Sequence, residues 1–300
     1  MNEKSELLIL LRLHGILPPV QLSKWWKADP SLSLAGKNTH PLTKLSANRS
    51  DLSAIRKLAE KELPNVKRLI RAYQADGVDM IAISSPDYPP SLKMIHDPPP
   101  VLFLKGHKKL LDQHRLIGIV GTRNPSSYGK RAAAYLAREL SKKDWTIVSG
   151  LAKGIDGLSH QESIRSNGTT IGVIAGGFNH LYPRENRQLA EQMTEDHLLV
   201  SEHLPRTKPQ KWHFPMRNRL ISGLTEGIIV IQGKEKSGSL ITAYQALEQG
   251  REVFAVPGSI FDRNSLGPAR LIQEGAKLVC DINDILSELP PSNVQYTEPV

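Results

Sequence analysis

Between residues 116 and 256 the chain repeats one unit: a short apolar run, an abrupt Gly- or Ser-rich polar turn, then a helical stretch. The apolar runs are 116–120, 146–148, 170–174, 198–200, 227–231 and 253–256, and the helical stretches open near Gly129, Gly157, Glu185, Met216, Leu240 and Arg270. Strands separated by helical stretches of this length pair in parallel through right-handed crossovers. The pattern therefore predicts an α/β fold, a parallel sheet flanked by helices. Ahead of it, 79–84 reads as a further strand, prolines around 86–100 force extended or turning backbone, and 102–104 reads as an edge strand.

In open parallel sheets ligands sit beyond the carboxyl ends of the strands, near helix N-termini whose free N–H groups favour anions. The turns at those ends carry suitable chemistry. After the first run, Gly121 lets a phosphate approach the backbone and Arg123 meets it with a planar fork of donors. After the second, Ser149, Gly150 and Gly154 form a possible anion nest, Lys153 supplies a mobile charge, and Asp156 stands where it would cap the helix carrying His160. Gly176 and Gly177 follow the third run, with Arg184 beyond Tyr182-Pro183; Arg217, Asn218 and Arg219 form a later cluster, and Ser237, Gly238 and Ser239 open another helix. One glycine turn alone says little, since packing in any parallel sheet requires such turns. The gathering of Arg123, Lys153, Arg184, Arg217 and Arg219 just past strand ends predicts a basic groove for a phosphodiester backbone or a polyphosphate. His160 and His180 lack metal-ligand spacing and read as packing residues; Tyr182-Pro183 reads as a rigid turn.

Other classes are excluded or disfavoured. Lys and Arg outnumber Asp and Glu by 39 to 30, a net charge of +9 that favours a polyanionic partner. The single cysteine, Cys280, rules out an intrachain disulfide and a Cys-based zinc site, and a reducing cytosol is the simplest compartment. No run reaches the ~18 apolar residues of a membrane helix. Gly121 and Gly129-Lys130-Arg131 have the wrong spacing for a P-loop, and Gly121-Thr122-Arg123 fails the dinucleotide fingerprint. No nucleophile–His–acid set declares itself. Residues 1–78 read as a small helical accessory domain with helices at 5–13, 19–27, 54–63 and 65–75. Arg56, Lys57, Lys61, Lys67, Arg68 and Arg71 lie on a solvated basic face there. Residues 79–288 form the main domain and 289–300 a polar tail expected to be disordered.

Several motifs stand in an order that resembles the DNA-processing protein A family (DprA, also called Smf), over residues 87–286. They are Tyr88-Pro89 with Asp97-Pro98-Pro99, Gly121-Thr122-Arg123 with Tyr128-Gly129, and Ser149 through Asp156 with His160. Tyr182-Pro183 with Asn186, Phe214-Pro215 with Arg217-Asn218-Arg219, Ser237 through Ala243, and Ala255 through Gly258 complete the series. The resemblance implies an extended Rossmann-like fold and a cytoplasmic homodimer. It implies a protein that binds and protects incoming single-stranded DNA and loads the RecA recombinase onto it in natural transformation, with no catalytic residue, cofactor, metal or membrane. Carried over, Arg123 takes the place of the DNA-contacting arginine after the first strand and Arg184 the basic position after Tyr-Pro. Lys153, Arg217 and Asn218 match positions lining the same pocket. Gly121, Ser149, Gly150, Gly154, Gly176, Gly177, Arg219, Ser237, Gly238 and Ser239 complete the expected DNA-binding set, with Phe178 facing an inserted base.

The chain departs from the family pattern at Asn179 and Gln232, where Asp and Glu are usual, and at Ala269, where Asn is usual. The C-terminal winged helix of many members is expected to be missing. An alternative reading is a nucleotide-binding or nucleotide-hydrolysing protein related to the phosphoribohydrolases. Against hydrolysis, Thr242 stands where their catalytic Glu would be.

Overall fold

The structure, a computed structural model, describes residues 2–15, 17–32 and 49–289; of the tail expected to be disordered, Leu289 is buried in the core and residues 290–300 lie outside the described residues. Nine strands make one mixed sheet: β1 (Asp79–Ala82), β2 (Val101–Gly106), β3 (Leu116–Val120), β4 (Thr146–Gly150), β5 (Thr170–Val173), β6 (Leu198–Ser201), β7 (Gly227–Val230), β8 (Glu252–Ala255) and β9 (Lys277–Leu278). Their order is β1-β2-β6-β5-β4-β3-β7-β8-β9. The seven strands from β6 to β9 are parallel; β2 joins β6 antiparallel and β1 joins β2 antiparallel. The expected parallel sheet is thus the larger part of a mixed one. The edge position read for 102–104 is corrected, because β2 lies inside the sheet and β1 forms its rim. The signal was present: Val101, Leu102, Phe103 and Leu104 are all buried, and an unbroken apolar run marks a strand covered on both faces.

Eleven α-helices surround the sheet among the described residues. Three precede it or lie at its start: α1 (Glu3–His14), α2 (Pro19–Ala28) and α3 (Arg49–Ala75). The short α4 (Pro90–Lys93) follows β1, and α5 (Ser127–Ser141), α6 (Ile155–Arg165), α7 (Arg187–Asp196), α8 (His213–Leu224), α9 (Gly238–Glu248), α10 (Leu266–Gln273) and α11 (Asn283–Leu286) follow the later strands. Period-two alternation assigns the faces. Ile117, Ile119, Ile229 and Ile231 share a core with Ala133, Leu136, Ala137 and Leu140 of α5. Ile228 and Val230 share the other with Leu220, Ile221 and Leu224 of α8 and Leu240 and Ala243 of α9.

The two helices expected at 54–63 and 65–75 are one, running through Pro64. A proline costs one backbone hydrogen bond, but Ile55, Ala59, Val66 and Ile70 are buried in a single core that also holds Leu7–Leu11 of α1, and burial of that stripe outweighs the break. Residues 7–11 of α1 are apolar on every side because the helix lies between α3 and strands β1 and β2. Of the charged face, Lys57, Lys61, Lys67, Arg68 and Arg71 are exposed as expected, and the Arg56 side chain lies outside the described residues. No described helix is long and apolar enough to cross a membrane.

Connections run one way from β3 through β4, β5 and β6, and the other way through β7 and β8. The order therefore reverses between β3 and β7, where a crevice opens at the carboxyl ends of the strands.

Candidate nucleic-acid interface

At this reversal β3 delivers Gly121-Thr122-Arg123 to the surface. The start of α6 clamps the loop. The Ile155 N–H donates to Thr122 O at 3.2 Å, and Gly154, at φ +78°, lies so close that a Cβ would come within 2.4 Å of Thr122 O. Only glycine meets both demands. Arg123 is left exposed with no ion pair among the described residues, its Cζ 5.6 Å above the ring of Phe214 from the first turn of α8. Tyr182, 52% exposed, meets the same ring edge-on at 5.7 Å and 71°.

Beside Arg123 lies an open cavity of about 340 Å³ walled by Thr122, Phe214, Lys234, Lys236 and the beginning of α9. That helix is uncapped: the Ser237 and Ser239 hydroxyls bond to each other at 2.8 Å, and the Gly238 and Ser239 N–H groups have no backbone acceptor among the described residues. A Cβ on Gly238 would meet open space. Lys234 and Lys236 are exposed, and no ion pair occupies them among the described residues. Aligned helix N–H groups, two lysines, an arginine and an aromatic ring can together hold phosphates and stack a base.

Beneath the cavity lie a buried arginine, Arg217, and a buried carboxylate, Asp156. Arg217 donates from Nη1 to Val173 O and from Nε to Asn218 Oδ1 at 3.2 Å, and Gly150 makes room for it, since a Cβ there would sit 2.5 Å from the guanidinium. Burial pulls Arg217 down to about 10, partly offset by Asp156. Burial pushes Asp156 up to about 6, opposed by Arg217, by backbone N–H groups of Ala152 and Gly121, and by Arg123. Asp156 is the one carboxylate among the residues lining the cavity, and Arg217 partly offsets the cost of burying it. It does not cap α6, as expected from sequence; that position belongs to Gly154, and Asp156 ties the loops together from inside the first turn. His160 is a packing residue, fully buried. Its Nε2 donates to Gly150 O at 2.8 Å, the only role a carbonyl allows, and its Nδ1 lies 2.6 Å from Thr170 Oγ1. Burial lowers it to about 4, so it is neutral.

Of the sequence-predicted set, the structure brings Gly121, Arg123, Arg217, Asn218, Ser237, Gly238 and Ser239 to this cavity. Lys153 lines an adjoining cleft with Arg123, Tyr182 and Phe214, exposed but paired with Glu185. Arg184 is exposed on a short turn nearby, without an ion pair among the described residues. The others, and Gly121 as well, serve inside the fold. The Ser149 hydroxyl donates to Ile119 O at 2.6 Å, joining β4 to β3. Gly121 makes room for Ile155, and Gly176 and Gly177 for the 204–209 segment, where a Cβ on Gly177 would lie 2.1 Å from Leu204 O. Phe178 is 8% exposed within the core and cannot receive a base; Phe214 and Tyr182 are the rings at the surface. Arg219 points elsewhere, held by Glu202 at 2.6 Å and Asp97 at 3.2 Å, in a cluster where Arg12 of α1 also donates to Glu202 O. Phe214, Tyr182, Lys234 and Lys236 were missed because neither ring follows a glycine turn and both lysines precede one; a ring at a helix start beside a basic cluster was the available signal.

Gln232, where the resembled family usually has Glu, is buried and accepts from Ser126 N at 3.0 Å while donating to Ser126 Oγ and Asp262 Oδ2, each at 2.9 Å. Its amide holds the α5 start against the 259–265 loop; a carboxylate could not donate to Asp262.

Comparison with known proteins agrees with this geometry. Residues 79–290 match the family described as DNA recombination-mediator protein A. The chain is 57% identical over 299 residues, covering 100% of both chains, to the DNA processing protein DprA of Bacillus subtilis. Its structure is similar to that of DNA processing protein A from Streptococcus pneumoniae, with a TM-score of 0.81 and 34% identity over 95% of this chain and 98% of that one. A structure of DNA processing protein A from Helicobacter pylori, described for its single-stranded DNA binding mode, matches with a TM-score of 0.65 and 29% identity over 71% of this chain and 97% of that one.

Proposed function

We propose, from the premise that the chain belongs to the DNA recombination-mediator protein A family, that its groove binds single-stranded DNA and presents it for recombination. The observation that carries the reading is Arg123. It is an exposed, unpaired guanidinium over an aromatic ring, at the mouth of a cavity that also presents two free lysines and a helix N-terminus. Phosphates would meet Arg123, Lys234, Lys236, Arg184 and the α9 amides. Bases, unpaired and splayed, would stack on Phe214 and Tyr182. A duplex keeps its bases stacked inward and could use only the charges.

In this reading the protein is a cytoplasmic binder with no reaction of its own that protects incoming strands and loads the RecA recombinase during natural transformation. It acts as a homodimer. The surface best suited to a second copy is the rim where Ile241, Tyr244 and Leu247 on one face of α9 lie exposed, with Ile260 and Phe261, 92% exposed, beyond β8.

The test is fluorescence anisotropy of a labelled single strand and its duplex between about 50 and 200 mM salt. The single strand should bind more tightly, with a steep loss in salt. Arg123→Ala should bind more weakly, with a slope of log K against log salt shallower by about 0.7 for each phosphate released. Equal binding by Arg123→Ala and wild type would remove the groove as the DNA site.

A further inference from the structure

Arg123 does not close the groove; it stands on a saddle. On its far side lies a second recess of about 460 Å³, bounded by Asn124, Lys130, Gly157, Gln161 and Asn186. Three properties of the recess suit it to a sugar–phosphate chain. First, the Asn124, Lys130 and Gln161 side chains are exposed, and none has an ion pair or hydrogen bond among the described residues. Second, no carboxylate lines it. Glu162 and Glu191 on the adjoining helices are held by Arg165 and Arg187, at 2.7 Å and 2.9 Å. Third, its floor is firm. A Cβ on Gly157 would come 3.0 Å from Asn186 Nδ2, and that amide is pinned to Leu151 O at 3.1 Å and Ala152 O at 2.8 Å. No aromatic ring lines the recess, in contrast to the Phe214 and Tyr182 side of the saddle.

The geometry points to a continuation of the nucleic-acid track: a strand leaving the groove crosses Arg123 and lays its next phosphates in this recess. Lys130 supplies the charge there, and the Asn124 and Gln161 amides donate. The inference rests on the single-stranded DNA reading of the groove. One guanidinium on a ridge can serve phosphates on both sides, and a wall without rings holds the backbone without reading bases. The recess therefore adds affinity for length and is indifferent to sequence.

The test uses labelled oligothymidylates of roughly 4 to 16 nucleotides, the range covered by single-strand sites. Wild type is compared with Arg123→Ala, Lys130→Gln and the pair Lys130→Glu with Gln161→Glu. All the recess changes are at exposed positions, and thermal melts check that the fold is kept. Lys130→Gln should bind the shortest strands as wild type does, bind the longest several-fold more weakly, and lower their salt slope by about 0.7. The double variant, which reverses one charge and adds a second negative one, should enlarge the same length-dependent loss. Identical binding at every length, or equal loss for short and long strands, overturns the recess. If Arg123→Ala weakens binding while Lys130→Gln and the double variant change nothing, only the recess is refuted. If Arg123→Ala itself binds as wild type, the groove reading falls and the recess with it.

Discussion

Replacing Arg217 by methionine tests the claim that a buried cation electrostatically coupled to a buried carboxylate, and not a free cation, underlies the groove. The guanidinium is buried, fills the space left by Gly150, donates to Val173 O, and is the main charge opposing the buried Asp156. Removing the guanidinium takes away the main charge opposing the buried carboxylate and the donor to Val173 O, a loss of about 3–5 kcal/mol. At roughly 2–4 °C per kcal/mol, the melting temperature should fall by on the order of 10 °C. With Asp156→Asn present, the methionine has no buried charge to strand. The double variant should then be more stable than the sum of the single costs by about 1–3 kcal/mol. The assay is urea unfolding near pH 7.5, where Asp156 is ionised. A pH series adds a second reading. Asp156 titrates at about 6 in the fold against an ordinary 3.8, so its contribution is present below about 4 and lost as pH rises through 6, about 3 kcal/mol in all. His160 runs the opposite way: held at about 4 against an ordinary 6.5, it stabilises above 6.5 and that stability is lost as pH falls through 4. The two nearly cancel in wild type. The difference between wild type and Asp156→Asn isolates the carboxyl and should change by about 3 kcal/mol between pH 4 and 6.5. Additive single costs, within about 0.5 kcal/mol, would refute the coupling of Arg217 to Asp156, and a flat difference curve would refute the burial-raised carboxyl.

Phe214→Ala should leave the melting temperature near that of wild type, because the ring is only half-buried, and should weaken single-strand binding by about 1–3 kcal/mol without altering the salt slope. A changed slope with unchanged affinity at low salt would show that Phe214 only props Arg123. Phe261→Asp, at a side chain 92% exposed, should leave the fold intact and shift sedimentation toward the monomer; an unchanged sedimentation coefficient would place the dimer contact elsewhere.

Much of the architecture was legible because it follows from local periodicity. The parallel core, its helices and the glycine exits are written in runs such as 116–123, and Arg123 stood out as a cation delivered by a strand end. Arg217 and Arg219 were not separable by that logic. Two residues apart on α8, they point to different buried carboxylates, Asp156 and Glu202, which come from distant parts of the chain. Phe178 looked like the ring near the groove because it follows Gly176-Gly177, yet those glycines admit the 204–209 segment, which covers it. Pro64 looked like a helix boundary because local chemistry says so; packing on α1 overrode it.

The residue pattern by itself determined which segments are strands and helices, and that their polar ends would gather basic groups, since both follow from spacing along the backbone. The tertiary structure alone decided which of those groups face solvent. Whether a cation is free for phosphate depends on whether a carboxylate from elsewhere in the chain reaches it first. Arg123 has none, Lys153 meets Glu185 at the surface, Arg219 is taken up by Glu202 and Asp97, and Arg217 is buried against Val173 O and Asn218 with Asp156 as its opposing charge.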